Sequence, residues 1–216
     1  MLNQAPYRFV FNRDRVREFQ TFGRVLHLPF TDTSKKLFQW SCSRPQDVLV
    51  YLCNKSPKFA ALVDRTFGET PEMVLSYDEL TPGNVLRPDN KRKYYIFSAS
   101  FKCFGRQIAS KSCVWMPFAI LRSVIIKNIA GGLSRCLRDV LRSAFDVENT
   151  PASSGGGMRD GIILQLPSGP RLVRIQLTNS LADEAALSNG LGFKGSAGLL
   201  PCIACMNIVK RGVKRR

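Results

Sequence analysis

Histidine is almost absent from this 216-residue chain: His27 is the only one. No nucleophile signature surrounds it, so a hydrolytic triad that moves its proton through imidazole is not expected, and His27 is read as structural. Acids are scarce as well, with 16 Asp and Glu against 32 Lys and Arg. No Gly-rich phosphate loop is present, because GLGFKGSAG (190–198) lacks the spacing of the nucleotide-binding patterns. A long uncharged apolar run is missing too. The most apolar stretch, Val114 to Leu133, contains Arg122 and Lys127 and reads as core, not as a membrane span. Near the start, Arg8, Arg13, Asp14, Arg15 and Arg17 interrupt any apolar leader. An intracellular protein with no membrane partner is expected.

What is present is a sizeable core and a strong positive charge. Hydrophobic residues make up 44% of the chain, enough for one domain or one domain with a small appendage. The net charge is +16. Such a field attracts polyanions, and nucleic-acid phosphate is the usual target. The charge is also uneven. No acid lies between Asn90 and Arg138, a stretch that holds Lys91, Arg92, Lys93, Arg135 and Arg138 among its bases. A second acid-free stretch runs from Ala185 to the end and carries Lys210 and Arg211. These residues, with Arg142, are the candidate nucleic-acid contacts. A solvated basic face is the bland alternative for the arginine-rich helix.

The seven cysteines are odd in number and mostly embedded in apolar runs, which points to free thiols in a reducing compartment. Cys202 and Cys205 form a Cys-x-x-Cys pair after Pro201. About 0.2 such pairs are expected by chance, and two thiolates are half of a tetrahedral zinc site.

Periodicity predicts two short helices over 46–67, broken at Ser56-Pro57, with apolar faces Val48, Leu49, Leu52, Cys53 and Phe59, Leu62, Val63. Residues 73–78 read as a strand ending at Asp78, TPGN (81–84) as a turn, and 93–104 as a second strand, so 73–104 forms a hairpin. Residues 114–130 fit helix and strand equally. Residues 133–145 make an amphipathic helix with Leu133, Leu137, Val140, Leu141 and Phe145 on one face and Arg135, Arg138 and Arg142 on the other. TPASSGGG (150–157) reads as a loop, 161–166 and 171–177 as a second hairpin, and 182–191 as a helix that begins at an acid. No period emerges over residues 1–35.

Because acids are few, their places are informative. Asp78 and Asp183 both fall at strand ends, 105 residues apart (183 − 78), each followed by a glutamate. Two-metal phosphoryl transfer needs carboxylates that converge from different strands. Turn or helix-cap acids are the plain alternative.

Several motifs together carry a family likeness: Tyr77-Asp78-Glu79, Pro82-Gly83-Asn84 with a basic turn and YYIFSASF, then Leu181-Ala182-Asp183-Glu184-Ala185-Ala186, Lys194-Gly195-Ser196-Ala197-Gly198 and Pro201-Cys202-Ile203-Ala204-Cys205. Over roughly residues 40–209 the chain resembles open reading frames related to the CACTA and Plavaka-like cut-and-paste transposases. The resemblance implies an α/β fold with an RNase H-like mixed sheet, largely of antiparallel hairpins, flanked by helices. It implies Asp78 and Asp183 as magnesium- or manganese-binding catalytic acids, Cys202 and Cys205 as the start of a zinc-binding insertion, DNA as partner and a nuclear location. A third acid is also implied, but no Asp or Glu follows Glu184. The remaining zinc ligands have no counterpart either. The expected organisation is a mixed helical region over 1–70, an RNase H-like core fragment over 71–200, and a Cys-x-x-Cys knuckle with a basic tail over 201–216. The expected function is nucleic-acid binding by a transposase-derived fragment without a complete active site. The alternative is a non-catalytic basic protein of a ribonucleoprotein or chromatin complex.

Overall fold

The structure, a computed structural model, describes residues 25–81, 92–145 and 157–191. The chain is a mixed α/β protein whose centre is a four-stranded sheet in the order β5-β4-β3-β8. Its strands are β3 (Glu72–Leu80), β4 (Tyr94–Phe101), β5 (Met116–Arg122) and β8 (Gln176–Leu181). Two smaller hairpins join it. One pairs β1 (Val25–Thr31) with β2 (Leu37–Ser43), and the other pairs β6 (Ile162–Leu166) with β7 (Gly169–Val173). The helices are α1 (Pro45–Lys55), α2 (Pro57–Thr66), α3 (Gly105–Ala109), α4 (Ser123–Asn128), α5 (Gly132–Phe145) and α6 (Glu184–Leu191).

The predicted break between α1 and α2 falls at Ser56. Its N–H closes α1 on the Leu52 carbonyl at 2.9 Å, and its hydroxyl accepts the Phe59 N–H at 3.3 Å to open α2. Pro57, at the first position of α2, lacks the N–H that would otherwise need a partner there. The stretch 114–130 fits both periods because it holds both structures: β5 ends at Arg122 and α4 begins at Ser123. In α5 the buried set is Leu133, Cys136, Leu137, Val140 and Ala144, while Leu141 and Phe145 are only half-buried. The apolar stripe is therefore rotated slightly from the predicted one.

β3 and β4 form the expected antiparallel hairpin, with Tyr77 opposite Phe97 and Asp78 opposite Ile96. Two corrections concern its neighbours. β3 does not end at Asp78 but runs on to Leu80, so the acid stands within the strand. The run 171–177 is not one strand. At Arg174 and Ile175 the backbone leaves the β6–β7 ladder, with the Ile175 N–H on the Met158 carbonyl at 2.8 Å and the Gln176 N–H on the Pro71 carbonyl at 3.3 Å. From Gln176 onward the chain forms β8, which lies parallel to β3 in the central sheet. Asp183 thus follows a strand of that sheet and not the second hairpin. The turn 81–84 beyond Thr81, the loop 150–157 short of Gly157, and everything after Leu191 lie outside the described residues.

The first hairpin was not legible as such. Phe30, Trp40 and Cys42 point inward from it, and Lys35 takes a left-handed turn conformation at φ 64°. The Trp40 indole N–H donates to the Ile120 carbonyl at 3.1 Å, tying the hairpin to the edge of the central sheet. One hydrophobic cluster runs through the described residues from Phe30 to Ala186. On the central sheet it takes the face of Met73, Leu75, Tyr77 and Phe97, all at most 2% exposed. The opposite face carries Ser76, Asp78, Leu80, Ile120 and Leu181, and three of these are large apolar side chains at least 39% exposed. Among the described residues no helix is long and apolar enough to cross a membrane.

Candidate acid pair and basic surfaces

The pairing of β3 with β8 leaves both predicted acids beyond the same end of that ladder. The last paired residues are Ser76 and Leu181. Asp78 stands two residues further along β3, and Asp183 stands two residues past Leu181, the last residue of β8; both are exposed. Asp78 accepts the N–H of Glu79 on Oδ1 at 2.7 Å. Asp183 caps α6: its Oδ1 accepts the Ala186 N–H at 2.6 Å, and its carbonyl accepts the Leu187 N–H at 2.9 Å. The cap role and the strand-end role therefore fall on the same residue. Among the described residues neither acid makes an ion pair.

Tyr95 senses both charges. Burial pushes its phenol up from the ordinary value. The Glu79 carboxylate adds to that, Asp183 and Asp78 add further, and a hydrogen bond with the Asn189 side chain opposes them. Glu79 itself points to the other side of β3 and pairs with Lys93 at 2.9 Å. Burial pushes its carboxyl up, but the neighbouring Ser123 hydroxyl and Lys93 ammonium outweigh that and hold it below the ordinary range.

Two exposed carboxylates with free oxygens suit a hard divalent cation, which takes oxygen ligands and keeps waters in its remaining positions. They do not make the fuller carboxylate set that two-metal chemistry uses. Among the described residues no three His, Cys, Asp or Glu side chains gather into a metal-holding group.

The candidate basic residues are dispersed. Arg92 is exposed. Lys93 is committed to Glu79. On α5, Arg135 and Arg138 share Asp139 at 2.7 and 3.2 Å, and the Arg135 guanidinium lies 6.0 Å from the Phe30 ring centre. Arg142 is exposed and, with Arg138, lines a cavity at the C-terminal half of α5. Lys91, Lys210, Arg211, Cys202 and Cys205 lie outside the described residues. Two arginines of the same cavity, Arg159 and Arg174, were not singled out from the sequence. Arg174 was visible as a polar position in the alternation of 171–177, but its neighbours depend on the chain leaving the hairpin there.

His27 makes one side-chain hydrogen bond, to the Ser41 hydroxyl at 3.0 Å across the first hairpin, in keeping with a structural role. Cys42, Cys53 and Cys136 are buried, and burial lifts their thiols to about 12, 11 and 12. No family model matches this sequence, and no curated protein matches it.

Proposed function

We propose that this chain is a nucleic-acid-binding protein on an RNase H-like core of the DDE-transposase kind, carrying two of the acids such a site uses. One observation supports the reading: Asp78 and Asp183, far apart in sequence, each stand two residues beyond the last β3–β8 pair, Ser76 with Leu181, with exposed carboxylates. Metal-dependent phosphoryl transfer uses carboxylates brought together from different segments in this way. The net charge of +16 and the acid-free basic stretches supply attraction for the phosphate backbone.

In this reading Asp78 and Asp183 hold a magnesium or manganese ion. When bound, the ion supplies Lewis-acid activation of an oxygen at phosphorus. Asp183 is held in place by its cap on α6, and Asp78 by its pairing with Ile96 in the β3–β4 ladder. Two carboxylates alone hold an ion weakly and leave a reacting hydroxyl poorly positioned. These 216 residues by themselves are therefore expected to bind DNA without cutting or joining it.

The test measures duplex binding across salt and plasmid nicking with magnesium or manganese. Affinity is expected to fall steeply with salt, and supercoiled plasmid is expected to stay intact. A salt response that is flat up to physiological ionic strength removes the nucleic-acid reading. Metal-dependent nicking that Asp78→Asn and Asp183→Asn both abolish shows a complete active site instead.

A further inference from the structure

We propose that a cavity between the C-terminal half of α5 and the start of β8 clamps the phosphate backbone of a nucleic-acid strand, through Arg138, Arg142, Arg159 and Arg174. The cavity measures about 640 Å³ and is open to solvent. Its four guanidiniums come from three separate segments: α5, the turn after Gly157, and the crossing between β7 and β8. No acid lines it.

Four cations around one depression repel one another unless an anion joins them. Of these four, only Arg138 has an acidic partner among the described residues, and it shares that partner, Asp139, with Arg135. Arg142, Arg159 and Arg174 are exposed and make no ion pair there. The guanidinium fork matches phosphate oxygens two at a time, which an ammonium does not. The floor is apolar, formed by Leu141, Phe145, Ile175 and Leu177. A sugar or a base packs on such a floor while its phosphates meet the rim. The basin is open to solvent rather than enclosed, so a strand can pass through it. The excess positive charge of the whole chain favours a long polyanion over a short acidic peptide.

The cavity reaches Gln176, at the opposite end of β8 from Asp183. From Gln176 to Leu181 the strand spans about 17 Å at ~3.3 Å per residue. That corresponds to about five nucleotides of one DNA strand at ~3.4 Å each. The clamp is thus a separate site along the bound strand, and it depends on the nucleic-acid reading but not on the acid pair.

The experiment follows fluorescence anisotropy of a labelled single-stranded oligonucleotide and of the same sequence as a duplex, with the full chain, across salt. Arg142→Gln with Arg174→Gln is expected to weaken binding about ten-fold or more near 0.1 M salt and to lower the salt slope by about two. Lys111→Gln, an exposed charge on another element, is expected to change it less than about two-fold. In the unaltered chain, bound oligonucleotide is expected to slow hydrogen exchange in 138–145 and 174–177, a readout that needs no variant. Wild-type binding that the double arginine variant leaves at the Lys111→Gln level, with no such protection, overturns the clamp alone. Absent or salt-independent binding by the wild type overturns the nucleic-acid reading with it. A mononucleotide that competes as strongly per phosphate as the oligonucleotide, or a poly-glutamate chain that displaces it equally, overturns a backbone clamp in favour of a small anion or an acidic peptide.

Discussion

Asp78, within β3, and Asp183, just past the end of β8, each stand two residues beyond the last β3–β8 pair, Ser76 with Leu181, although 105 residues (183 − 78) separate them in the chain. Both charges act on the Tyr95 phenol, and each carboxylate keeps an oxygen for solvent or for a cation. Asp183 carries a second duty, because its Oδ1 caps α6 through the Ala186 N–H.

That double duty can be separated by substitution. Asp183→Ala removes the cap and is expected to cost about 1 kcal/mol of stability, whereas Asp183→Asn keeps a capping oxygen and is expected to stay within a few tenths. Both lose the charge. If the acid pair binds a divalent cation, both abolish manganese binding measured by calorimetry, while only the alanine lowers the urea midpoint. Equal destabilisation by the two substitutions would show that the charge of Asp183, and not its capping oxygen, matters to the fold.

A buried ion pair gives a second prediction. Arg44 is 3% exposed, and its Nε and Nη2 donate to Asp47 Oδ2 and Oδ1 at 2.6 and 2.7 Å in the first turn of α1. Asp47→Ala strands a guanidinium away from water, which typically costs about 3–5 kcal/mol. Replacing the pair with Met at Arg44 and Leu at Asp47 is expected to recover most of that loss, because both charges then leave together. Chemical denaturation of the two variants and the wild type decides it. A single variant within about 1 kcal/mol of wild type would mean that water reaches Arg44.

Much of the fold was legible from local pattern. Ser56-Pro57 marks a helix boundary by chemistry that needs no tertiary context, and the apolar face of α5 recurs at helical spacing. The β3–β4 hairpin follows from aromatic and branched residues on either side of turn chemistry. The first hairpin was lost because a window over 1–35 averages away the alternation of Leu26, Leu28 and Phe30 against His27 and Pro29. β8 was lost for a deeper reason. Alternation identifies a strand but not its neighbour, and Gln176 and Leu177 continue the alternation of 171–173 across a boundary between two sheets. The sequence placed Asp183 at a strand end correctly but Asp78 too near one, since β3 runs on to Leu80, and their common end of the β3–β8 ladder depends on that parallel pairing. The arginine cavity was hidden for the same reason, since Arg142 and Arg174 meet only once the chain crosses over at Ile175.

Two glycines are expected to respond in opposite directions to the same change. Gly190 is in α6, where alanine ordinarily adds about 1 kcal/mol of helix stability. Here a Cβ would stand 2.7 Å from Leu137 Cδ1 and 2.9 Å from the Tyr77 Oη, in a buried position. The leucine can yield, but the tyrosine ring is held inside the sheet, and overpacking of this kind typically costs about 1–3 kcal/mol. Gly190→Ala is expected to lower stability by about 1 kcal/mol net. Gly68 is exposed, with nothing within 4 Å of the added carbon, so Gly68→Ala is expected to stabilise by about 0.5 kcal/mol. Thermal melts of the two variants check the signs. A more stable Gly190→Ala would mean that α6 does not press against Tyr77 and Leu137 as described.

Tyr95 offers a spectroscopic view of the acid pair that does not depend on activity. It is 7% exposed, on β4 opposite Glu79. Burial lifts its phenol above the ordinary value of 10.0, with the charges of Glu79, Asp183 and Asp78 pushing the same way. A negative neighbour favours the neutral phenol, so removing one must lower the folded value. Asp78→Asn and Asp183→Asn are therefore each expected to move the Tyr95 titration downward, followed by absorbance at alkaline pH and assigned with Tyr95→Phe. The linked stability has a definite sign. Because the folded value is the higher one, the unfolded chain ionises first, and this contribution is present below about pH 10 and lost as pH rises through the folded value. A divalent cation held between the two carboxylates reverses the local field. Saturating calcium, a hard divalent cation that stays in solution at alkaline pH where magnesium precipitates as its hydroxide, is then expected to lower the Tyr95 titration in the wild type and to leave it unmoved in the doubly substituted Asp78→Asn, Asp183→Asn chain. The same downward shift in both would be ordinary salt screening and would remove the cation from the acid pair.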